Sequence, residues 1–330
     1  MNRILAIETS CDDTCAAVLE GPRALSNIVS SQARLHARFG GIVPEVASRR
    51  HLELINPVID AALEDSGGDL ESVDAIAVTV KPGLIGALLV GVSTAKAIAA
   101  ATRKPLIAVD HLQGHVAAAY LEPDPLEPPF LALIASGGHT LLAEVREAGT
   151  FAVAGQTLDD AAGEALDKAA RLLGLGFPGG PAIQREAAEG DPEAFGMPVA
   201  MSRDGGLDFS FSGLKTALAY AVRDLGAEET RERRADLAAS FQSAVVGQLV
   251  AKLGRALDAG DWDAVALGGG VAANALLRER ARDLCDERGV RLKLLPFELC
   301  TDNAAMIGSA ARFEPPVAHP DYLALDAAAR

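Results

Sequence analysis

The sequence predicts an α/β protein that folds as two lobes. Its 330 residues, 49% of them hydrophobic and 23% charged, can bury one large or two medium cores. Strand-like runs alternate with helical runs, and a pattern of strand, short polar turn and strand occurs over 3–20 and again over 130–145. Such a duplication makes two similar turns face each other, so we expect a nucleotide-type cleft. The predicted lobes span 1–129 and 130–302, and a C-terminal helix, 303–325, packs back on the first lobe.

Apolar runs and turn signals predict the elements of the first lobe in order. After opening strands at 3–8 and 15–20, we expect a helix over 46–65, a buried strand over 74–80, a helix rich in Gly and Ala over 83–101, and a strand over 105–109. The last strand delivers Asp110 and two histidines at its carboxyl end. That end of a strand is where sites form in alternating α/β architecture.

A group of prolines at 123–129 marks the crossing into the second lobe. The pattern then predicts strands over 130–135 and 141–145, a helix over 159–173, a Gly-Pro-rich turn over 174–181, a polar-aromatic loop over 205–216 and a helix over 235–257. A strand over 263–267 leads into Gly268-Gly269-Gly270 and a helix over 275–288; a strand over 290–296 and a helix through Arg312 follow. The glycine turn suits nucleotide binding, although without a following Gly-Lys-Ser/Thr it is not a P-loop.

The composition indicates a cytoplasmic protein that does not bind nucleic acid unaided. No apolar leader precedes the first strand, and the apolar stretches at 83–91 and 97–101 are shorter than a membrane span. Four scattered cysteines predict reduced thiols. The net charge of −15 disfavours phosphate contacts, so the basic groups near 34–51, 231–234 and 278–282 are interpreted as solvated helix faces. Any RNA would then be bound with the help of a partner protein.

His111 and His115 lie four residues apart directly after the strand at 105–109. On a helix both rings lie on one face, at a spacing that a single metal ion can bridge, although surface histidines without a ligand have the same spacing. A zinc peptidase of the HExxH type needs a glutamate between its histidines to activate water, and Leu112 and Gln113 stand there instead. At the start of the closing helix, either Asp302 or Asn303 is by default a helix N-cap.

Nine motifs, taken in order, carry a resemblance to a known family. They are ETSCD (8–12), PGLIGAL (82–88), HLQGH (111–115), SGGHT (136–140), DDAAGE (159–164), PGGP (178–181), FSFSGLK (209–215), GGGV (268–271) and CTDN (300–303). In this order they resemble bacterial TsaD, the catalytic subunit of tRNA N6-adenosine threonylcarbamoyltransferase. The resemblance covers about the first 310 residues.

The resemblance implies an actin-like/Hsp70-like (ASKHA) fold, with two duplicated ribonuclease H-like lobes around a nucleotide cleft. It implies transfer of a threonylcarbamoyl group from threonylcarbamoyl-AMP to N6 of adenosine 37, in tRNAs that read codons beginning with A. The implied partners are tRNA, a TsaB-like paralogue in a heterodimer, a TsaE-like ATPase and a TsaC-type enzyme that supplies the donor.

The resemblance also implies site residues. His111, His115 and Asp302 would hold one metal ion, usually assigned as iron, with zinc as the alternative. ATP, ADP or threonylcarbamoyl-AMP in the cleft would contact a second set, namely Ile134, Ala135, Ser136, Gly137, Gly138, Asp167, Gly180 and Asn274. Two positions depart from the family: Asp13 stands where Glu is frequent, and Gln184 where some members are acidic. We therefore leave Gln184 out of the expected sugar contacts.

Asp12 is the candidate for moving a proton, because the N6 amine of adenine is a poor nucleophile that must lose one. As a turn residue it has an equally ordinary structural explanation. Two other functions compete with acyl transfer: a metallopeptidase of the glycoprotease type, and a non-catalytic nucleotide-binding scaffold or sugar kinase on the same fold. The missing glutamate argues against the first, and the presence of both the His pair and Asp302 argues against the second.

Overall fold

The computed structural model describes residues 3–198 and 205–329. Its strands are β1 (Arg3–Glu8), β2 (Asp13–Glu20), β3 (Arg23–Ser31), β4 (Ala75–Lys81), β5 (Leu106–Asp110), β6 (Phe130–Ala135), β7 (Thr140–Val145), β8 (Ala152–Gln156), β9 (Ala264–Gly268) and β10 (Arg291–Leu294). Its α-helices are α1 (Ala33–His36), α2 (Pro44–Asp65), α3 (Ile85–Thr102), α4 (His111–Ala117), α5 (Ala162–Leu172), α6 (Gly179–Ala187), α7 (Ser212–Glu232), α8 (Arg234–Asp258), α9 (Ala275–Arg288), α10 (Phe297–Cys300) and α11 (Ala304–Ala311).

The chain divides into two compact units, each built on one five-stranded sheet. Unit 1 comprises Met1–Glu127, Glu147–Phe151 and Thr301–Arg330, and unit 2 comprises Pro128–Arg146 and Ala152–Cys300. The strand order is β3-β2-β1-β4-β5 in unit 1 and β10-β9-β6-β7-β8 in unit 2. In both sheets three antiparallel strands are followed by two parallel ones. The predicted duplication of a strand, turn and strand is therefore present, and each copy has a third antiparallel strand.

The third strands, β3 and β8, are absent from the sequence prediction. Both lie at an edge of their sheet, and β3 alternates buried and exposed residues only irregularly. An edge strand exposes one face and its outer hydrogen-bonding edge to water, so it carries fewer apolar residues than a central strand. The prediction also missed α1, α6 and α7. Helix α6 begins with Gly179-Gly180-Pro181, and this composition is typical of a turn. Proline is nevertheless well tolerated in the first turn of a helix.

The core of unit 1 lies between its sheet and helices α2 and α3. It includes Leu5 and Ile7 of β1, Val78 of β4, and Val92 and Ala95 of α3. Helix α3 is, among the described residues, the one helix long and apolar enough to cross a membrane by length and composition. Because its apolar residues pack against β4 and α2, we interpret it as a core helix.

The last segment of the chain packs into unit 1 but is not one long helix. The sequence prediction extends a helix over 303–325, whereas α11 ends at Ala311 and only a short 3-10 turn, Asp321–Ala324, follows. Pro315, Pro316 and Pro320 explain the break, since proline lacks the N–H that continues a helix. Tyr322 from this tail is fully buried in the core of unit 1.

Candidate functional site

Helices α4 and α11 together position a group of two histidines and one aspartate. The Asp110 carboxylate caps α4 by accepting hydrogen bonds from the N–H groups of Leu112 (2.8 Å) and Gln113 (3.4 Å). The helix therefore starts at His111, which puts His111 and His115 on one face. Helix α11 packs against α4, and the Ser309 hydroxyl donates to the carbonyl of Ala117 at 2.7 Å.

This packing brings Asp302 to the His pair. The ligand atoms of His111, His115 and Asp302 all lie within 4.8 Å of one another. Oδ1 of Asp302 is 3.5 Å from Nε2 of His111 and 3.3 Å from Nε2 of His115. Of the two residues that the sequence offers as a helix N-cap, Asn303 caps α11 by accepting from the N–H of Met306 at 3.0 Å, and Asp302 does not. The Asp302 side chain lies beside the histidines.

The donor set fits a divalent metal ion. Within the described part of the chain, Nδ1 of His115 has no hydrogen-bond partner and Nε2 has only the Asp302 carboxylate at 3.3 Å, although the side chain is only 1% exposed. Buried polar atoms rarely lack a hydrogen-bond partner or a ligand, so the arrangement favours a metal ion bound to His115. Two imidazoles and one carboxylate, with positions left open, are typical of non-haem Fe(II) and suit zinc as well.

Glu8 orients the first of the two imidazoles, and sequence reasoning missed it. Its carboxylate is 1% exposed, and Oε2 lies 3.1 Å from Nδ1 of His111. Glu8 also accepts from the Thr79 hydroxyl at 2.6 Å and from the N–H of Ser10. A carboxylate at the far nitrogen of a metal-binding histidine fixes the ring and its tautomer. The only sequence signal was that Glu8 ends β1 inside the first motif.

Glu8 and His111 shift each other's pKa values in opposite directions, because their charges are opposite. Burial would lower the pKa of His111, but the Asp302 and Glu8 carboxylates outweigh it and raise that pKa to about 9. Burial would likewise raise the pKa of Glu8, yet the charge and hydrogen bond of His111 bring it below the usual value. Without a metal ion, His111 is thus an imidazolium between two carboxylates at neutral pH.

The turn between β1 and β2 adds two more carboxylates to this region. Burial raises the pKa of Asp12, and the nearby Asp302 charge raises it further. Burial also raises the pKa of Asp13 to about 7, despite its hydrogen bond with Ser31. The turn is packed closely, since a Cβ on Gly83 would lie 2.6 Å from the carbonyl oxygen of Ser10. The result is a rigid, acidic surrounding for the His pair.

The cysteines are free thiols, as predicted. Burial raises the pKa of both Cys11 and Cys15 well above its ordinary value, and neighbouring carboxylates act in the same direction. Cys15 donates from Sγ to the carbonyl oxygen of Asp302 at 3.6 Å. These thiols remain protonated, so they are poor nucleophiles and poor metal ligands.

The residues expected to contact a nucleotide all lie in unit 2. Ile134 and Ala135 are the buried end of β6, and the turn that follows is closed by hydrogen bonds between Ser136 and His139, of 2.7 Å (Ser136 N–H to the His139 carbonyl) and 3.0 Å (His139 N–H to the Ser136 hydroxyl). A Cβ added at Gly137 or Gly138 would meet no atom of the described residues within 4 Å, so the backbone of this turn is accessible to a ligand.

The glycine turn after β9 lies beside this first turn. Strands β6 and β9 are parallel neighbours, with Ile134 opposite Gly268. Gly269 has φ +85°, and a Cβ there would lie 2.3 Å from the carbonyl oxygen of Ala135. Only glycine fits both conditions. Two loops at the carboxyl ends of adjacent parallel strands form the kind of place where α/β proteins bind ligands.

Asn274 and Asp167 form hydrogen bonds with the N-terminal ends of α9 and α6. The Asn274 side chain caps α9, accepting from the N–H of Leu277 at 3.1 Å, and its amide donates to the side-chain oxygen Oε1 of Gln242 at 2.8 Å. Asp167 accepts from the N–H of Gly179 at 2.6 Å, next to Gly180 in the first turn of α6. Gln184, left out above, accepts from the N–H of Ala275 at 2.8 Å and so lies beside Asn274.

Comparison with known proteins identifies the family. A family model described as "TsaD: tRNA N6-adenosine threonylcarbamoyltransferase" matches residues 23–309. A protein of Clostridium botulinum with the name tRNA N6-adenosine threonylcarbamoyltransferase is 51% identical over 312 residues, which are 94% of this chain and 92% of the relative. One of Thermosynechococcus vestitus with the same name is 53% identical over 317 residues, 94% and 90% of the two chains. This chain belongs to the TsaD family.

Membership of the TsaD family confirms the predicted activity class. The chain is an acyltransferase that modifies tRNA, and the interpretations as a metallopeptidase or a non-catalytic scaffold are set aside. What the family name leaves open is the role of each residue described above.

Solved structures confirm the fold. The structure of component A of (R)-2-hydroxyglutaryl-CoA dehydratase from Acidaminococcus fermentans has a TM-score of 0.55, with 15% identity over 98% of this chain and 100% of that one. HypF from T. kodakarensis has a TM-score of 0.58, with 16% identity over 94% of this chain and 47% of that one. At such low identity the likeness concerns the fold alone, which is the predicted actin-like/Hsp70-like fold.

Proposed function

We propose that this chain transfers the threonylcarbamoyl group of threonylcarbamoyl-AMP to N6 of adenosine 37, in tRNAs that read codons beginning with A. The C–N bond to the adenine amine forms, the bond between the acyl carbon and the phosphate oxygen breaks, and AMP and one proton leave. The observation that carries the proposal is the group of His111, His115 and Asp302 in a member of this family, without a water-activating glutamate between the histidines.

In this proposal His111, His115 and Asp302 hold one divalent ion, Fe²⁺ in preference to Zn²⁺ on the basis of the donor set. When bound, such an ion supplies Lewis acidity towards the oxygens of the donor. Glu8 keeps the His111 ring oriented, because it accepts at Nδ1 and leaves Nε2 directed at Asp302. The surrounding acidic turn favours a cation here over an anion.

Asp12 is the proposed acceptor of the proton that N6 loses. Burial and the Asp302 charge raise its pKa, so its carboxylate is more basic than that of an ordinary aspartate. A general base is more effective when its pKa approaches the operating pH. The carbonyl oxygen of Asp12 accepts a hydrogen bond from the N–H of Gln32 at 3.1 Å. This bond fixes the backbone that carries the Asp12 side chain.

The adenylate half of the donor is proposed to bind in unit 2. The exposed backbone of Gly137 and Gly138 offers N–H groups to a phosphate. The remaining contacts would come from Ile134, Ala135, Ser136, Asp167, Gly180 and Asn274. ATP or ADP would use the same positions.

The proposed partners are tRNA, a TsaB-like paralogue that forms a heterodimer with this chain, a TsaE-like ATPase and a TsaC-type enzyme that makes the donor. The proposed location is the cytoplasm, and the proposed lobes span 1–129 with 303–325, and 130–302. The acidic composition fits a catalyst that depends on partners to capture RNA, since the net charge is −15.

Single-turnover transfer to an unmodified tRNA transcript tests the proposal. The purified chain, the partner proteins and the donor are mixed, and threonylcarbamoyladenosine is measured by mass spectrometry of digested tRNA. We expect His111→Ala and Asp302→Asn to abolish transfer and Asp12→Asn to slow it at least about 100-fold. His319→Ala removes an exposed imidazole elsewhere and serves as the control. No modified nucleoside with the wild-type chain, or wild-type rates in His111→Ala and Asp12→Asn, would refute the proposal.

A further inference from the structure

A short segment of unit 1 presents basic and aromatic side chains beside the acidic site. The 33–39 segment, which consists of α1 and the 3-10 turn Ala37–Phe39, exposes Arg34, Arg38 and Phe39. Phe39 is 57% exposed, so its ring is open to a partner. Arg34 and Arg38 are four residues apart, so they are neighbours on the exposed side of the segment.

The segment is attached directly to the turn that carries Asp12. The N–H of Gln32 donates to the carbonyl oxygen of Asp12 at 3.1 Å, and Ser31 pairs with Asp13 where β3 meets β2. Counting seven positions from Gln32 to Phe39 at 1.5–2.0 Å each, the exposed ring is about 10–14 Å along the segment from that turn. The exposed ring therefore belongs to the same packed part of unit 1 as Asp12.

Buried polar residues hold the segment in place. His36 is fully buried, and its Nδ1 accepts from the N–H of Val43 at 3.3 Å. Gln32 is 3% exposed, and its amide donates to the carbonyl oxygen of Ala47 in α2 at 3.4 Å. The segment is thus folded against β2, β3 and α2 before any partner arrives, so binding to it orders little additional chain.

Among the described residues, the two arginines have no acidic partner. Within residues 3–198 and 205–329, neither Arg34 nor Arg38 forms an ion pair. The next arginines along the chain differ, because Arg49 pairs with Glu45 at 2.6 Å and Arg50 pairs with Glu53. Arginine charges left unneutralised in a protein of net charge −15 are available to an anion.

An acidic site needs such charges if its substrate is RNA. Glu8 and Asp302 lie beside the His pair, and Asp12 and Asp13 are close enough to interact with Asp302, so the site disfavours a phosphate backbone. We propose that the 33–39 segment is a docking surface for the anticodon loop of tRNA, with Arg34 and Arg38 on backbone phosphates and Phe39 stacked on an unpaired base. The inference rests on the proposed function, since it concerns the same tRNA substrate. Stacking and phosphate contacts are the usual means of holding single-stranded RNA.

The test uses the complete reconstituted system with a tRNA transcript. The charge variant is Arg34→Gln/Arg38→Gln. Its matched control is Arg23→Gln, an exposed arginine at the opposite end of β3, about 26 Å from Ser31 at 3.3 Å per residue. We expect the double variant to raise the KM for tRNA at least about 10-fold with little change in kcat, and Arg23→Gln to leave both unchanged. The slope of log(kcat/KM) against log[salt] should become shallower by about 1.4, which is 0.7 for each phosphate contact.

Phe39 variants separate stacking from simple apolar contact. Phe39→Leu and Phe39→Ala should both raise the KM for tRNA about 10-fold, while Phe39→Tyr, which keeps a ring, should remain near wild type. If Phe39→Leu equals wild type, a ring is not required and the stacking contact is refuted.

Two further outcomes are informative. Unchanged KM and salt slope in the arginine variant, with active wild-type protein, would overturn the docking surface and leave the proposed function intact. Loss of the paralogue from the complex on size-exclusion chromatography, with normal tRNA affinity in whatever complex forms, would overturn it in favour of a protein interface. A wild-type chain that transfers nothing would instead count against the proposed function.

Discussion

Nδ1 of His111 lies 3.1 Å from Oε2 of Glu8, and Nε2 of the same ring lies 3.5 Å from Oδ1 of Asp302. The imidazole is therefore held between two carboxylates that come from opposite ends of the chain. One carboxylate is buried and orients the ring, and the other belongs to the candidate metal site. This arrangement predicts how the protein responds to mutation, to metal and to pH.

Glu8→Gln should weaken metal binding without abolishing it. The amide keeps the shape of the side chain but loses the charge that makes His111 a better ligand, and loss of such a partner typically costs 10–100-fold in affinity. Competition with a chromophoric chelator measures the change. Glu53→Gln, an exposed residue of α2, is the control. Equal affinities for wild type and Glu8→Gln would show that the buried carboxylate does not act on the metal site.

Metal binding near pH 7 should release about one proton per ion. The pKa of His111 is raised to about 9 in the metal-free chain, so the ring is protonated and must lose its proton to become a ligand. Calorimetric titration with Zn²⁺ in two buffers of different ionisation enthalpy measures the proton count. Since the ring is neutral above its pKa, the count should decline as the pH approaches 9. Binding without proton release at pH 7 would contradict this account.

The metal-free protein should lose stability as the pH rises from 6.5 to 9. His111 has a higher pKa in the folded state than its usual 6.5, so its charge stabilises the fold fully below pH 6.5, and that contribution is lost as the pH rises through about 9. The expected loss is on the order of 2 kcal/mol. Urea unfolding in the presence of a chelator measures it, and in His111→Gln the pH dependence over this range should be flatter. An increase in stability towards pH 9 would oppose the prediction.

Asp159→Ala should destabilise unit 2. The carboxylate accepts from the hydroxyls of Ser210 (2.5 Å) and Ser212 (2.7 Å) and from the N–H groups of Phe211 (2.8 Å) and Ser212 (3.2 Å) at the start of α7. Loss of such a cap costs about 1–2 kcal/mol. Desolvation would raise the pKa of Asp159, but these hydrogen bonds lower it, so the contribution is present at neutral pH and is lost as the pH falls through that lowered value.

The measurement for Asp159→Ala is urea unfolding at pH 7 and pH 3. Asp60→Ala, an exposed position of α2, serves as the control and should change stability by less than about 0.5 kcal/mol. A wild-type midpoint at pH 7 for Asp159→Ala would mean that α7 does not depend on this cap.

Gly269→Ala should be more damaging than Gly174→Ala. Both glycines have positive φ, of +85° and +70°, so each substitution strains the backbone by about 1 kcal/mol. At Gly174 the added Cβ meets nothing within 4 Å among the described residues, whereas at Gly269 it would lie 2.3 Å from the carbonyl oxygen of Ala135. The added clash should cost at least about 1–3 kcal/mol more. Thermal unfolding of the two variants compares them, and equal midpoints would count against the close approach of the two loops.

The features that the sequence predicted correctly are those formed by residues close together in the chain. His111 and His115 are four residues apart, and Gly268-Gly269-Gly270 follows a strand directly, so short windows of sequence reveal both. The role of Glu8 was not predictable in this way, because its partner His111 is 103 positions away. Strands β3 and β8 carry too few buried residues to give the alternating signal of a strand. The family resemblance supplied Asp302, which local pattern alone interprets as a helix cap.

The attachment of Asp302 and α11 to unit 1 also determines when that unit can be finished during synthesis. Asp302 contacts Cys15 across 287 positions of sequence, and a Cβ on Gly308 would lie 2.1 Å from a methyl carbon of Leu19, so α11 packs closely on strands of the first sheet that are made early in translation. All of unit 2 leaves the ribosome before α11 can pack there. The growing chain therefore carries an incomplete unit 1, without its third candidate ligand, until residues 301–311 are made, and a metal ion can be captured by all three ligands only after that.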